Sequence, residues 1–198
     1  MPTIYQLKPA FQGLLRPAMR ALASAGVTPN AVTLVAVAGS ALVGALVATH
    51  PDGPRWWLLL PAWLFVRMAL NAIDGMMARE LQQTSRLGLV LNEVGDVVAD
   101  TVLFLPLAVL WPAAAWSVTW FTIAAILSEF CGVLGVVLGG ARQYQGPVGK
   151  SDRAFLVGLL GLVAAVAPDT RAWWPMVCWV ATAGVILTCV HRVRGALR

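Results

Sequence analysis

Residues 67–100 read RMALNAIDGMMARELQQTSRLGLVLNEVGDVVAD. Two apolar segments, each broken by ionisable and amide side chains, flank the basic stretch Arg79 to Arg86. In the first, Arg67, Asn71, Asp74 and Ala78 recur at i, i+4, i+7 and i+11, which is one stripe of a helix. In the second, Gly88, Asn92, Asp96 and Asp100 follow at intervals of four and again share a face. Two polar stripes on consecutive antiparallel helices can face one another. Charged side chains inside an apolar helix are expensive, so each marks a candidate site.

The surrounding chain explains why the setting is a membrane. Of 198 residues 59% are hydrophobic and 12% charged, and the mean hydropathy is +0.77. A soluble domain carries about 25% charged residues. A span needs about 20 apolar residues, so the length leaves no room for a separate soluble catalytic domain. The expected fold is an all-α integral membrane protein of six spans: 30–49, 56–80, 87–110, 116–139, 154–167 and 173–190. Before them, residues 1–27 form an interfacial amphipathic segment in which Leu7, Phe11, Leu14, Ala18 and Leu22 make the apolar stripe, with Pro9 and Pro17 interrupting it. Gly26 stops that helix, and Thr28-Pro29 supplies an N-cap and a first-turn proline for the first span. Residues 28–198 then make up the membrane domain. The first thirty residues lack the pattern of a signal peptide, so the chain is expected to begin at Met1.

Charge orients the bundle. Eleven of fourteen Lys and Arg fall on one side, namely Lys8, Arg16, Arg20, Arg79, Arg86, Arg142, Lys150, Arg153, Arg192, Arg194 and Arg198, against Arg55 and Arg171 on the other and Arg67 within a span. That split puts both termini in the cytoplasm of an inner membrane. It also accounts for the net charge of +5, so no nucleic-acid partner is called for. Trp56, Trp57, Trp111, Trp116, Trp173 and Trp174 would form one aromatic belt on the opposite side. Cys131, Cys178 and Cys189 lie in apolar runs and read as small core residues, not as a disulfide framework.

The two stripes meet near the cytoplasmic ends of their helices, and the product is an acidic, water-accessible cavity. Carboxylate and amide oxygens there suit a hard cation, Mg2+ or Mn2+, that bridges to substrate phosphates. No Cys/His spacing resembles a zinc site. Asp100, one turn deeper, is either a further ligand or the partner of Arg67. Glu93 lies about 100° off the stripe and suits a loop or nucleotide-edge contact; Glu129 either joins the Arg67 network or faces the cavity. Gly146-Pro147-Val148-Gly149-Lys150-Ser151 fails the spacing of a phosphate-cradling loop, because Tyr144 stands where such a loop needs glycine. Arg142, Lys150 and Arg153 read instead as a basic rim for membrane-lipid headgroups, donor phosphates or an anionic acceptor. Gly132, Gly135 and Gly139 permit close helix packing.

Asn71-Ala-Ile-Asp74-Gly75-Met-Met-Ala78-Arg79, eight residues, Gly88, three, Asn92, three, Asp96 resembles the signature D-x2-D-G-x2-A-R-x8-G-x3-D-x3-D of the CDP-alcohol phosphatidyltransferase family. Six of the eight positions match; Asn71 and Asn92 stand where the family has its first and third aspartates. Thr28-Pro29-Asn30 and the six-helix layout resemble the family too. The resemblance implies transfer of a phosphatidyl group from CDP-diacylglycerol or another CDP-alcohol to a small alcohol, with release of CMP. It implies metal ligands at Asp74, Asp96, Asn71 and Asn92, with Asp100 as a candidate, and Asp96 as the base for the acceptor hydroxyl. Gly75, Ala78, Arg79 and Gly88 would accommodate the cytidine diphosphate. A homodimer is also implied, with Gly135 and Gly139 as a candidate seam. The rival readings are a non-catalytic lipid- or nucleotide-binding relative or partner subunit, and a small transporter.

Overall fold

The computed structural model describes residues 8–198, so Leu7 lies outside the described residues. The helices are α1 (Lys8–Ser24), α2 (Pro29–Thr49), α3 (Pro54–Trp57), α4 (Leu59–Glu80), α5 (Arg86–Phe104), α6 (Pro106–Leu110), α7 (Ala115–Val137), α8 (Lys150–Val166) and α9 (Trp174–Ala196). Short 3-10 turns at Pro112–Ala114 and Pro168–Trp173 lead into α7 and α9. Among the described residues, four stretches are long and apolar enough to cross a membrane: Pro29–Thr49, Pro54–Glu80, Pro112–Val137 and Pro168–Ala196.

Where helices break, the cause is local. The expected second span is split at Leu58, because Pro61 has no N–H to give the Trp57 carbonyl and its ring crowds that carbonyl. Pro106 splits the third in the same way at Leu105. At Gly26 (φ +80) α1 ends in a left-handed turn, with the Val27 amide returning to the Leu22 carbonyl at 3.0 Å. Thr28 caps α2 by accepting from the Ala31 amide at 3.2 Å, as the Thr-Pro pair predicts. Three sequence expectations need correction. Helix α1 runs unbroken through Pro17, which forfeits one ladder bond only. Its inward face is Leu15, Met19 and Leu22 against Val32, Ile73, Met76 and Met77, while Leu14 and Ala18 are exposed. Helix α9 extends past Val190 to Ala196, since nothing before Gly195 breaks it.

Helix α2 lies against both α4 and α5; α8 packs on α4, α5 on α7, and α7 along α9. The approach of α2 to α5 depends on small residues: a Cβ on Gly44 would overlap the Val102 carbonyl, and one on Gly95 would sit 2.9 Å from Val37. The main apolar core, with Trp57, Leu60, Phe104, Leu107, Phe121, Val157 and Trp174, occupies the end remote from the motif. Trp57 meets Trp174 edge-on at 5.6 Å, so those turns share one end; both rings are buried, and Trp116 and Trp173 face outward. Gly132 and Gly135 do not form a helix seam. Their open sides are taken up by the chain returning after α7, with the Gln143 carbonyl at 2.9 Å from the Cβ position of Gly132 and the Ala141 carbonyl against Gly135.

Candidate active site

The motif residues converge between α4 and α5. Asp74, almost fully buried, accepts from the Thr33 hydroxyl of α2 at 2.7 Å. Asp96 is also buried, on α5, and is tied to α4 through Asn71. Its Oδ1 receives the Asn71 amide at 3.1 Å, Arg67 Nη2 at 3.5 Å and the ammonium of Lys150. Asn71 thus spends its NH2 on Asp96, which leaves the amide oxygen as its remaining acceptor. Asn92 sits half-buried one turn before Asp96 on the same stripe.

Lys150 and Arg153 reach the site because α8 begins there. Gly149 starts the helix, its amide donating to Asp152 at 2.8 Å, and the first turn then projects both cations toward α5. They are not a loose rim. Arg153, fully buried, donates to Asp100 at 3.2 Å, to Glu129 at 2.6 Å and to the Ser128 hydroxyl at 2.9 Å. Arg142 bridges Glu93 at 2.8 Å and Glu129 at 2.7 Å. Burial disfavours its charge, but the two carboxylates outweigh burial and raise the guanidinium above its ordinary value. Arg67 and Asp100 pair at 2.5 Å, as the cost of an intramembrane arginine leads one to expect. Both Asp100 oxygens therefore carry an arginine, and the ligand reading of Asp100 gives way to that of partner to Arg67 and Arg153. Glu93 likewise holds Arg142.

Two glycines of the motif also make room for side chains of the chain itself. The Cβ position of Gly88 is 2.8 Å from Asn30 Oδ1, so this glycine admits Asn30 of the Thr28-Pro29-Asn30 turn. Gly75 leaves space into which Arg79 folds, its Nη1 3.2 Å from the Cβ position. Ala78 lies between them, half-buried, on the next turn of α4. Sequence reasoning missed Thr33, Ser128 and Arg192. A hydroxyl in an otherwise apolar span is a signal for the first two; Arg192 was counted only as an inside-positive charge, and the extra turns of α9 carry it to Glu129 at 3.4 Å.

The donors facing the cleft are hard oxygens, those of Asp74, Asp96, Asn71 and Asn92, which is the chemistry of Mg2+ or Mn2+. Among the described residues no three His, Cys, Asp or Glu side chains gather into a metal cage. The set fits a cation that shares its shell with substrate oxygens and does not fit an all-protein cage.

Comparison with known proteins bears on the same residues. The sequence profile described as CDP-alcohol phosphatidyltransferase matches residues 26–190. The inner membrane protein YnbA of Escherichia coli strain K12 is 46% identical, over 98% of this chain and 96% of that protein. A phosphatidylinositol phosphate synthase of Streptomyces avermitilis is 31% identical over 92% of this chain and 78% of its own length. Among solved structures, the Mycobacterium tuberculosis phosphatidylinositol phosphate synthase with CDP-DAG bound superposes with a TM-score of 0.76 at 19% identity, covering 92% of each chain. The same enzyme in complex with manganese and citrate also gives 0.76, at 21% identity, over 92% of this chain and 88% of that one. With the profile spanning most of the chain and the motif set on two facing helices, the chain belongs to the CDP-alcohol phosphatidyltransferase family.

Proposed function

We infer that the protein transfers a phosphatidyl group from CDP-diacylglycerol, or a related CDP-alcohol, to the hydroxyl of a small polyol-type alcohol and releases CMP in phospholipid synthesis. The observation that carries this reading is the contact between the two motif stripes, Asn71 of α4 donating to Asp96 of α5 at 3.1 Å with Asp74 one turn further along α4, within the family's motif. Asp74, Asp96 and the amide oxygens of Asn71 and Asn92 would hold Mg2+ or Mn2+, which when bound neutralises the diphosphate and stabilises the charge on departing CMP. Arg79, over Gly75 and beside Ala78, holds donor phosphates. Asp96 takes the acceptor proton: the acceptor oxygen bonds to the phosphatidyl phosphorus, the diphosphate P–O bond breaks, and CMP leaves with the electron pair. Asn71 and Lys150 orient the Asp96 carboxylate for that step.

With asparagine at two family aspartate positions, the pocket offsets less cation charge, and the donor's diphosphate makes up the difference. Metal and CDP-alcohol are therefore expected to bind on the order of tenfold more tightly in each other's presence, equally in both directions. Titration calorimetry with Mn2+ and CDP-diacylglycerol, followed by CMP release with a panel of alcohols, tests the function. Asn71→Asp combined with Asn92→Asp should raise metal affinity without donor and shrink the coupling. Tight metal binding that ignores the donor contradicts this version, and no CMP release with any alcohol contradicts the function.

The proposed setting is a cytoplasmic (inner) membrane with six spans and both termini in the cytoplasm. Two of those spans are α5 continued by α6, and α8. Helix α5 keeps its carboxylates turned inward, and α8, at 17 residues, is roughly 25 Å long against a hydrocarbon core of roughly 30 Å. Helix α1 would lie in the interface with Leu14 and Ala18 toward lipid, tied to α4 by Arg16 and Glu80 at 3.0 Å. Support comes from the charge split and from the outward-facing apolar side chains along the bundle. In a variant whose three cysteines are replaced, single cysteines at Gln82 and Gly53 should label from opposite sides of sealed vesicles. Labelling from one side only rules the six-span arrangement out.

A further inference from the structure

Three arginines from three segments close on one carboxylate near the motif end of α7. Glu129, 4% exposed, accepts from Arg142 at 2.7 Å, Arg153 at 2.6 Å and Arg192 at 3.4 Å. Guanidinium groups gathered around a small anion are how proteins recognise phosphate, but here the anion is a side chain of the protein itself. The neighbouring cations are matched as well: Arg67 by Asp96 and Asp100, Lys150 by Asp96, and Arg142 also by Glu93. Each of Arg67, Arg142, Lys150, Arg153 and Arg192 thus has at least one carboxylate partner among Glu93, Asp96, Asp100 and Glu129, and Asp74 lies beside them on α4 without an ion pair among the described residues. The cluster borders the proposed base, because Arg67 and Asp100 join Asp96 to Arg153.

A phosphate-bearing alcohol brought to this cluster would add about two negative charges beside carboxylates that already pair with each of these five cations. In a low-dielectric setting such like-charge juxtaposition suppresses the wrong partner. An uncharged alcohol meets no such barrier. The Nε–H groups of Arg153 and Arg192 are buried without a hydrogen-bond acceptor, and hydroxyl oxygens satisfy such donors without adding charge.

We propose that Glu129 is a built-in counter-anion that sets the acceptor class: the acceptor is an uncharged polyol, and Glu129 excludes phosphorylated alcohols by occupying the place their phosphate would take. This rests on the reading of the protein as a phosphatidyl transferase and names the acceptor class for it. On this proposal the anion held by Arg142 and Arg153 is the chain's own Glu129, while Lys150 is held by Asp96.

Two measurements on the full-length protein separate the acceptor proposal from the transfer reading. In mixed micelles with CDP-diacylglycerol and Mg2+, CMP release is compared for glycerol against glycerol 3-phosphate and for inositol against inositol phosphate. The natural protein should favour the uncharged member of each pair on the order of tenfold or more. Independently of turnover, titration with inorganic phosphate should show binding to Glu129→Gln at least about tenfold tighter than to the natural protein, with Glu129→Asp resembling the natural protein. The acceptor preference of Glu129→Gln should shift toward the phosphorylated alcohols. Because Glu129→Gln leaves three arginines undercompensated and risks misfolding, the acceptor comparison on the natural protein stands by itself: equal or better CMP release with the phosphorylated alcohols overturns the proposal. Phosphate binding that is unchanged in folded Glu129→Gln also overturns it. CMP release with none of the four alcohols counts against phosphatidyl transfer, while the phosphate titration still decides the role of Glu129.

Discussion

Asp96→Asn is expected to lower CMP release by about 10³-fold while CDP-diacylglycerol still binds. The amide keeps the shape of the carboxylate and an oxygen for Asn71 and Arg67, which now reach Oδ1 at 3.1 and 3.5 Å. What it loses is the capacity to take a full proton from the acceptor and the charge that holds Lys150. Asp74→Asn should behave differently. It removes ligand charge from a group whose only direct side-chain partner among the described residues is the Thr33 hydroxyl, so donor binding should weaken and should do so in a metal-dependent way. Single-turnover CMP release and equilibrium donor binding, measured on both variants, separate the two roles. Near-normal turnover by Asp96→Asn would remove it from the role of base.

Asp100→Ala should be strongly destabilising. It leaves Arg67 and Arg153, both buried, short of a carboxylate that now binds them at 2.5 and 3.2 Å. Removing one partner from a buried charge network costs about 3–5 kcal/mol, and for a chain of this size 3 kcal/mol corresponds to roughly 6–12 °C in Tm. Arg67 keeps only a longer contact to Asp96, and Arg153 keeps Glu129, which holds the loss toward the lower end of that range. Combining Arg67→Met with Asp100→Leu should recover part of it, because the double change removes charge of both signs and leaves an apolar pair. Thermal unfolding in detergent reads both effects. An unchanged Tm in Asp100→Ala would show that the network contributes no stability.

Much of the architecture is legible in local sequence, because each feature has a local cause. Thr28-Pro29 starts α2, Gly26 ends α1, and apolar runs of spanning length mark the long helices. The breaks at Leu58 and Leu105 were legible in principle from Pro61 and Pro106, but a hydropathy reading averages over them. The amphipathic face of α1 differs from the expected one by one residue, about 100° around the helix, since period alone cannot choose between Leu14 and Leu15 when both fall near the edge of the stripe. In the site, the stripes Asn71–Asp74 and Asn92–Asp96 were readable because a helix fixes the direction of every side chain along it.

By itself the sequence determined the class of protein, the pair of facing polar stripes and the family motif, all of which depend on spacing within one helix or across one short loop. Only the tertiary structure decided which charge answers which. Arg153 lies 53 residues from Asp100 and 24 from Glu129, and Arg192 lies 63 from Glu129. No local rule connects them. Their pairing follows from the packing of α8 against α4 and of α7 along α9, and from the extra turns of α9. Within a low-dielectric bundle an unpaired charge is so costly that, once packing has brought these helices together, nearby opposite charges must join. That requirement turns a basic rim into a paired network and gives Glu129 its place among the arginines.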